Sequence, residues 1–401
     1  MSNIVPKSLV NQLKNDYDEI LNYLIKRNYN IQTIPLKNKA ISDEGESYTL
    51  AYPIQGVLKY HGLVSKEHRI SYFPSVSFNN DAAFTVSYLK FDKRLREDIA
   101  FLNGKKLSND NLKRIAISLD LIREDSKIKS KALLISGNFL KSSHKSLTGK
   151  GLGTSASGSA ALALAAISIL YNNELEYIEN KRLISLFSRY LAGSGTRGAA
   201  GGFALWLSHP TIDPFDCFAI RLDREEHKKF VNNISLITIP INSDLKTEQV
   251  HKIAPKSPFF LSWLKERKKK VFEFFKALNN CDLNKIGELA EYDTMCLHSI
   301  TMTAQQKQNI IAWKPDTLAI MLRVRELRAS GYNIYFSIDT GPSVVLLTYK
   351  NEKNSIINNL KELNPNLDII EGKIGGESKL IRANSPNAQL LKEDINKFNI
   401  S

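Results

Sequence analysis

The segment 148–166, TGKGLGTSASGSAALALAA, restricts the fold of this chain more than any other stretch. Glycines 151 and 153 permit a close backbone approach, and the run that follows is small, apolar and helix-forming. A glycine turn opening a helix leaves N–H groups without partners at the positive end of the helix dipole, which is an arrangement that binds phosphate. Thr154, Ser155 and Ser157 add hydroxyls where that phosphate would sit. This is not a Walker A loop, because its Gly-Lys is not followed by Ser or Thr. Gly151, Gly153 and Ala156 match the loose GxGxxA dinucleotide pattern. The preceding strand, KALLISGNF at 131–139, ends too far upstream for the tight turn that pattern needs. The competing reading is a Ser/Gly-rich start to a packed helix; a phosphate site accounts for more of the residues.

Around this segment the periodicities mix. Leu9, Leu13, Tyr17, Leu21 and Leu24 recur at helical spacing behind Pro6, so a first amphipathic helix is expected. Strand patterns follow in YTLAYPIQGVLKY, RISYFPSVSF and AAFTVSYLKFD. Helices are expected at 110–123, 155–170, 180–190, 260–279, 283–299 and 315–329. Further strands are ISLITIPI at 234–241, NIYFSID and TGPSVVLLTY. The elements do not alternate strictly, which favours an α+β architecture over a doubly wound sheet. A chain of 401 residues suits about two lobes. The expected division is an N-terminal helical extension at 1–46, a first lobe at 47–213 carrying the glycine-rich loop, and a second lobe at 214–401.

Composition narrows the class. No continuous apolar leader opens the chain, and the small apolar run at 158–170 is shorter than the ~20 residues of a membrane span. A soluble, cytoplasmic protein with no membrane partner is therefore expected. Cys217, Cys281 and Cys296 form no CxxC and read as free thiols, and no HxxxH pair calls for a metal. The net charge of +14 suits nucleic acid, a membrane surface or anionic small substrates. The densest basic cluster, KERKKK at 265–270, lies between Trp263, Leu264, Val271, Phe274, Phe275 and Leu278, which share one helical face. The cluster thus reads as a solvated face rather than a nucleic-acid stripe.

Four segments in order resemble the diphosphomevalonate decarboxylase branch of the GHMP superfamily. AYPIQGVLKYHG at 51–62 is similar to an APxNxAxxKYWGK motif, and GLGTSASGSAAL at 151–162 to a GLASSAAGxAAL phosphate loop. GSGTRGAAGGF at 193–203 resembles GSGSACRSxxGGF, and YFSIDTGP at 335–342 resembles the TxDAGPN motif. Lesser echoes are FLNG at 101–104 and the spacing of Glu291 and His298. The resemblance implies a two-lobed GHMP fold, with a ribosomal-protein-like N-terminal lobe and a ferredoxin-like C-terminal lobe. It also implies residue roles. Asp339 aligns with the catalytic aspartate beside the substrate's C3 oxygen. Lys59 would hold that aspartate ionised and steady a phosphate. Arg197 aligns with the substrate-clamping arginine. Ser194, Gly195 and Thr196 would frame the same anion, and Tyr60 would donate to a phosphate. Gly153, Thr154, Ser155 and Ser157 belong to the phosphate loop. Family precedent implies a homodimer.

The departures from the family matter as much. The second lysine of KYWGK is Leu63, Phe73-Pro74 stand near the position of an Asn-Ser pair, and the loop is preceded by the lysine-bearing SSHKSLTGK. An N-terminal extension precedes the first motif. These changes point to a 5-monophosphate substrate and a lost kinase half. The expected activity is that of the ATP-independent mevalonate 3,5-bisphosphate decarboxylases: loss of the 3-phosphate and carbon dioxide to give isopentenyl phosphate, with no cofactor. The N-terminal helix is expected to cover part of the old nucleotide cleft. Lys246, Lys252 and Lys256 fall where the family places further substrate-binding groups. The alternatives are an ATP- and magnesium-dependent decarboxylase of diphospho- or phosphomevalonate, another GHMP kinase, and a basic nucleic-acid-binding protein.

Overall fold

A computed structural model describes residues 5–32, 40–146, 152–173, 175–245, 247–305 and 309–398. The first lobe is built on a six-stranded sheet. Its strands lie in the order Lys379–Leu380, Gly45–Ala51, Ala83–Asp92, Lys131–Leu140, Ile99–Leu102, Lys105–Lys106. All neighbours are antiparallel except Ile99–Leu102 beside Lys131–Leu140. Against it lies the helix Thr154–Leu170, whose residues are nearly all buried. Its alanines and serines permit this: small side chains bring the helix close to the sheet. Two hydroxyls complete the fit, Thr49 donating to the Ala161 carbonyl at 2.9 Å and Ser168 to Ser47 at 2.7 Å. A second, four-stranded antiparallel sheet runs Ala219–Arg221, Phe203–Trp206, Ser75–Asn79, Ile54–Leu58.

The second lobe is a four-stranded antiparallel sheet in the order Ile334–Ser337, Val344–Tyr349, Ile234–Ile239, Ile370–Gly372. Numbered along the chain, that is 2-3-1-4, the ferredoxin-like order. Ile320, Val324 and Leu327 of the helix Pro315–Ala329 and Ile356 and Leu360 of Lys353–Leu363 bury against its strands. The helix Leu283–Thr303 crosses to the first lobe. Its Gly287 lies so close to Tyr335 that a Cβ there would come within 2.0 Å of the ring.

Two expectations are corrected here. The boundary at 213/214 does not divide the lobes. The strands Ala219–Arg221 and Lys379–Leu380 pair within the first lobe, and Leu391 and Ile395 pack in one cluster with Leu50, Phe84 and Tyr88. Short strands in this region carry too few residues for an alternation to show. Second, the helix Lys7–Lys26 forms as expected and buries Leu9, Leu13, Tyr17 and Leu24, but its bonds lead away from the glycine-rich loop. Lys268 pairs with Asp16 and Glu19, Asn279 donates to Tyr23, and Tyr23 stacks on Phe275, all on the helix Phe260–Asn279. Part of the basic face of that helix is thus a seat for the N-terminal helix. Among the described residues no helix is long and apolar enough to cross a membrane.

Because the N-terminal helix supports the helix Phe260–Asn279, Leu13→Ala should cost about 2–5 kcal/mol in urea unfolding, the usual range for emptying a core leucine site. Catalytic constants should stay unchanged, since the helix lies outside the cleft.

Candidate active site

The strand Ile54–Leu58 organises the site. Its pairing with Ser75–Asn79 slips between Gly56, opposite Ser77, and Leu58, opposite Val76, a β-bulge at Val57 directly after Gly56. The Gly56 N–H then donates to Asp339 Oδ1 at 3.2 Å. Its carbonyl accepts from Lys59 Nζ at 2.8 Å and from Ser337 Oγ at 2.6 Å. Lys59 Nζ also reaches Ser337 Oγ at 3.0 Å and lies 3.9 Å from Asp339 Oδ1. Only glycine fits at 56, because a Cβ there would lie 2.7 Å from Lys59 Cγ and 2.9 Å from Asp339 Oδ1.

Lys59 is 3 % exposed and Asp339 keeps 37 % of its side chain open. The enclosure raises the Asp339 carboxyl above its usual range, while Lys59 and Arg197 pull against that shift. Burial lowers the Lys59 ammonium, opposed by Asp339 and Asp293. The pair is a carboxylate and an ammonium held close without direct hydrogen bonding.

Arg197 sits on the short helix Gly195–Ala200, 2 % exposed, with its guanidinium 5.5 Å from the Tyr60 ring and 6.0 Å from Trp206. Its Nε and Nη1 find no acceptor among the described residues. Burial pushes its pKa down to about 10. A buried guanidinium without a carboxylate partner is costly unless an anion arrives to satisfy it. The flanking glycines exist to place it. A Cβ on Gly195 would lie 2.3 Å from Ser159 Oγ, and one on Gly198 would lie 3.0 Å from the Ala156 carbonyl. Both therefore let the arginine helix press onto the helix Thr154–Leu170.

Tyr60 stacks on His251 at 4.3 Å, and burial raises its phenol against the pull of Arg197, Arg69 and Arg114. Arg69 donates to the Tyr190 carbonyl at 3.3 Å and Arg114 to the adjacent Leu191 carbonyl at 3.1 Å. Two guanidiniums thus stand side by side where the helix Lys181–Leu191 ends. His61, His251 and His298 are buried and shifted far toward the neutral form, His251 and His298 to about 3. No cluster of metal-ligating side chains occurs among the described residues.

Not every expected residue faces the cleft. Thr196 is fully buried and donates to the Gly193 carbonyl at 2.8 Å; with Gly195 it positions Arg197 instead of framing the anion. Ser194 is half-buried at the start of that helix. Ser157 is fully buried, 2.6 Å from Thr85 Oγ1 and 3.1 Å from the Thr154 carbonyl, so it braces the helix against the sheet. Gly153, with φ 68°, packs onto strand Ile54–Leu58, where a Cβ would meet the Ile54 carbonyl at 2.8 Å. Thr154 and Ser155 remain accessible at the open helix start. Lys252 and Lys256 are exposed beyond His251; Gly151 and Lys246 lie outside the described residues. Glu291 pairs with Arg328 and accepts from the Phe336 N–H, a structural duty, whereas the neighbouring His298 backs the Asp339 backbone.

Sequence reasoning missed the layer beneath Lys59. Asp293, 1 % exposed, accepts from the Lys59 N–H at 2.5 Å, Trp263 Nε1 at 3.0 Å and Arg267 Nη1 at 2.5 Å. Arg267 donates onward to the Lys59 carbonyl at 3.1 Å. The basic run at 265–270 therefore contains one arginine that points into the core. The available signal was an acid at 293 among Ile286, Ala290 and Leu297 on the apolar face of a helix.

This fold and this cluster define a GHMP-type enzyme. Residues 51–219 match the diphosphomevalonate decarboxylase-like N-terminal domain. It is 29% identical to the mevalonate 3,5-bisphosphate decarboxylase of Thermoplasma acidophilum over 84% of this chain and 78% of that one. It is 28% identical to the phosphomevalonate decarboxylase of Haloferax volcanii over 74% and 86%. The mevalonate diphosphate decarboxylase structure from Enterococcus faecalis superposes with a TM-score of 0.75 at 26% identity, covering 84% of this chain and 99% of that one.

The bulge geometry makes a direct test. Gly56→Ala must displace Lys59 or Asp339, and a misplacement of about 1 Å lowers kcat by roughly 10². Circular dichroism and the unfolding midpoint should change little.

Proposed function

We propose that the protein is an ATP-independent decarboxylase of mevalonate 3,5-bisphosphate. The observation that carries this reading is the buried Arg197, with unsatisfied N–H groups, in one cleft with Asp339 and Lys59. Arg197 takes an anionic group of the substrate. Asp339 lies beside C3. The C3–O bond breaks and its electron pair leaves with the phosphate. The C1–C2 pair moves to form the C2–C3 double bond as carbon dioxide departs, leaving isopentenyl phosphate. Positive charge gathers at C3 in the transition state, where an ionised carboxylate stabilises it most; Lys59 and Arg197 stabilise the charge growing on the phosphate. Tyr60, with Arg69 and Arg114, supplies donors and positive charge for the 5-phosphate. Leu63, in place of the family's second lysine, suits a single terminal phosphate.

Two observations support independence from ATP. The Ser157 hydroxyl is committed to Thr85, and relatives spanning most of the chain carry the name mevalonate 3,5-bisphosphate decarboxylase. The uncapped helix start at Thr154, beside the Ile54 carbonyl, favours the second reading, an ATP-dependent phosphomevalonate or diphosphomevalonate decarboxylase. Were a nucleotide to bind, Thr154 and Ser155 would hold its phosphates and it would supply the group transferred to the 3-hydroxyl.

The deciding assay follows isopentenyl phosphate from mevalonate 3,5-bisphosphate, with and without ATP and magnesium. Turnover without nucleotide is expected, falling by about 10²–10³ or more in Asp339→Asn. Carbon dioxide release only with ATP, from a 5-phosphorylated mevalonate, would move the assignment to the second reading.

The pH profile follows from the two shifts. Catalysis needs Asp339 ionised, and that form is lost as pH falls through its raised pKa. It also needs Lys59 charged, and that form is lost as pH rises through its lowered pKa. The kcat/KM curve should therefore be narrower than the free carboxylate and amine would give, and Lys59→Arg should push its basic limb upward. An acid limb at or below about pH 4, the free-carboxylate value, would rule out Asp339 as the group responsible.

A further inference from the structure

We propose that the groove beneath the N-terminal helix binds an amphipathic organic cation, a molecule with a hydrogen-bonding oxygen at one end and an ammonium at the other. The groove, about 940 Å³, lies between the helices Lys7–Lys26 and Lys181–Leu191 and the loop after Trp206. That volume falls in the ordinary range of small-molecule sites. Its walls are apolar, with Leu21, Leu183, Phe187, Leu207 and Phe218 among them.

Two polar side chains stand side by side in it, and one of them, Tyr17, has no hydrogen-bond partner among the described residues. Tyr17, 5 % exposed, lines the groove, and its hydroxyl makes no hydrogen bond there. His209, also 5 % exposed, packs its ring 4.5 Å from Tyr17. Its Nδ1 accepts from the Thr211 N–H at 3.3 Å and lies 3.2 Å from the Thr211 hydroxyl, which leaves the ring proton on Nε2. A hydroxyl and an imidazole that line one apolar groove together suit an acceptor oxygen.

The rim sets the other end. Asp18, Asp125, Asp213 and Asp216 line the groove, and the one lysine among the described lining residues, Lys14, is paired with Asp18 at 2.7 Å. On a protein of charge +14 this local acidity disfavours phosphorylated substrates and favours an ammonium. The site is therefore no extension of the catalytic cleft.

Tyramine carries all three features: a phenol oxygen, a ring and an ammonium. Titration calorimetry with the full chain should show saturable binding that persists with saturating mevalonate 3,5-bisphosphate present. Tyr17→Phe should weaken it about 3- to 10-fold, the worth of one hydrogen bond. Asp216→Asn, at an exposed position, should also weaken it. 3-(4-Hydroxyphenyl)propionate, with the same phenol and a carboxylate in place of the ammonium, should bind at least about tenfold more weakly. Absence of tyramine binding, equal binding of amine and acid, indifference to both substitutions, or displacement by substrate would each overturn the proposal.

Discussion

One residue, Gly56, connects the two lobes chemically through the N–H and the carbonyl of its two successive peptide groups. The bulge in Ile54–Leu58 releases its N–H to Asp339 of the second lobe and its carbonyl to Lys59 and Ser337. Asp339 and Lys59 come from positions 280 residues apart, yet both are referenced to one residue, Asp339 to its N–H and Lys59 to its carbonyl. Register in the second sheet thus decides the distance between carboxylate and ammonium. Gln55, donating to Ser337 at 2.9 Å, ties the same strand to the same loop a second time.

Beneath this contact the protein accepts an unfavourable burial to hold Lys59 still. Asp293 and Arg267 form an ion pair that is almost fully enclosed, a geometry whose desolvation cost rivals its attraction. Its use lies in direction: acid and base together satisfy the N–H and the carbonyl of Lys59. The residue's backbone is therefore fixed on both sides while its side chain reaches the cleft. The opposite wall is built by packing, with glycines in place of ion pairs. There the close approach of two helices sets where Arg197 stands, and aromatic faces rather than carboxylates line its guanidinium, which keeps the cation available to a ligand.

Much of this was legible in the residues. The amphipathic spacing behind Pro6, the alternation in AAFTVSYLKFD and the small-residue helix after 153 each reflect local physics, and each element forms. The motif residues Asp339, Lys59 and Arg197 do meet. What could not be read has a common cause. Asp293, Arg267, Arg69 and Arg114 take their roles from neighbours distant in the chain, and nothing at those positions shows which partner they face. Ser157 and Thr196 mislead for the converse reason. A hydroxyl at a helix start suits a ligand or a neighbouring strand equally well, and only packing reveals which. The short strands Ala219–Arg221 and Lys379–Leu380 escaped because they carry two or three residues and borrow their conformation from the sheets they complete.

That last strand has a consequence for how the molecule is made. Lys379–Leu380 caps the edge beside Gly45–Ala51, and the helices Pro386–Gln389 and Lys392–Phe398 cover the sheet's outer cluster. The second lobe is thus an insertion within the first, tethered at both ends. During synthesis, which delivers roughly 5–20 residues per second from the N-terminus, the first lobe waits with one sheet edge bare until the stretch 379–398 leaves the ribosome. The first lobe is then completed only after the second has been made, and a chain that stops between 340 and 378 carries Lys59, Arg197 and Asp339 without the strand that closes this sheet edge.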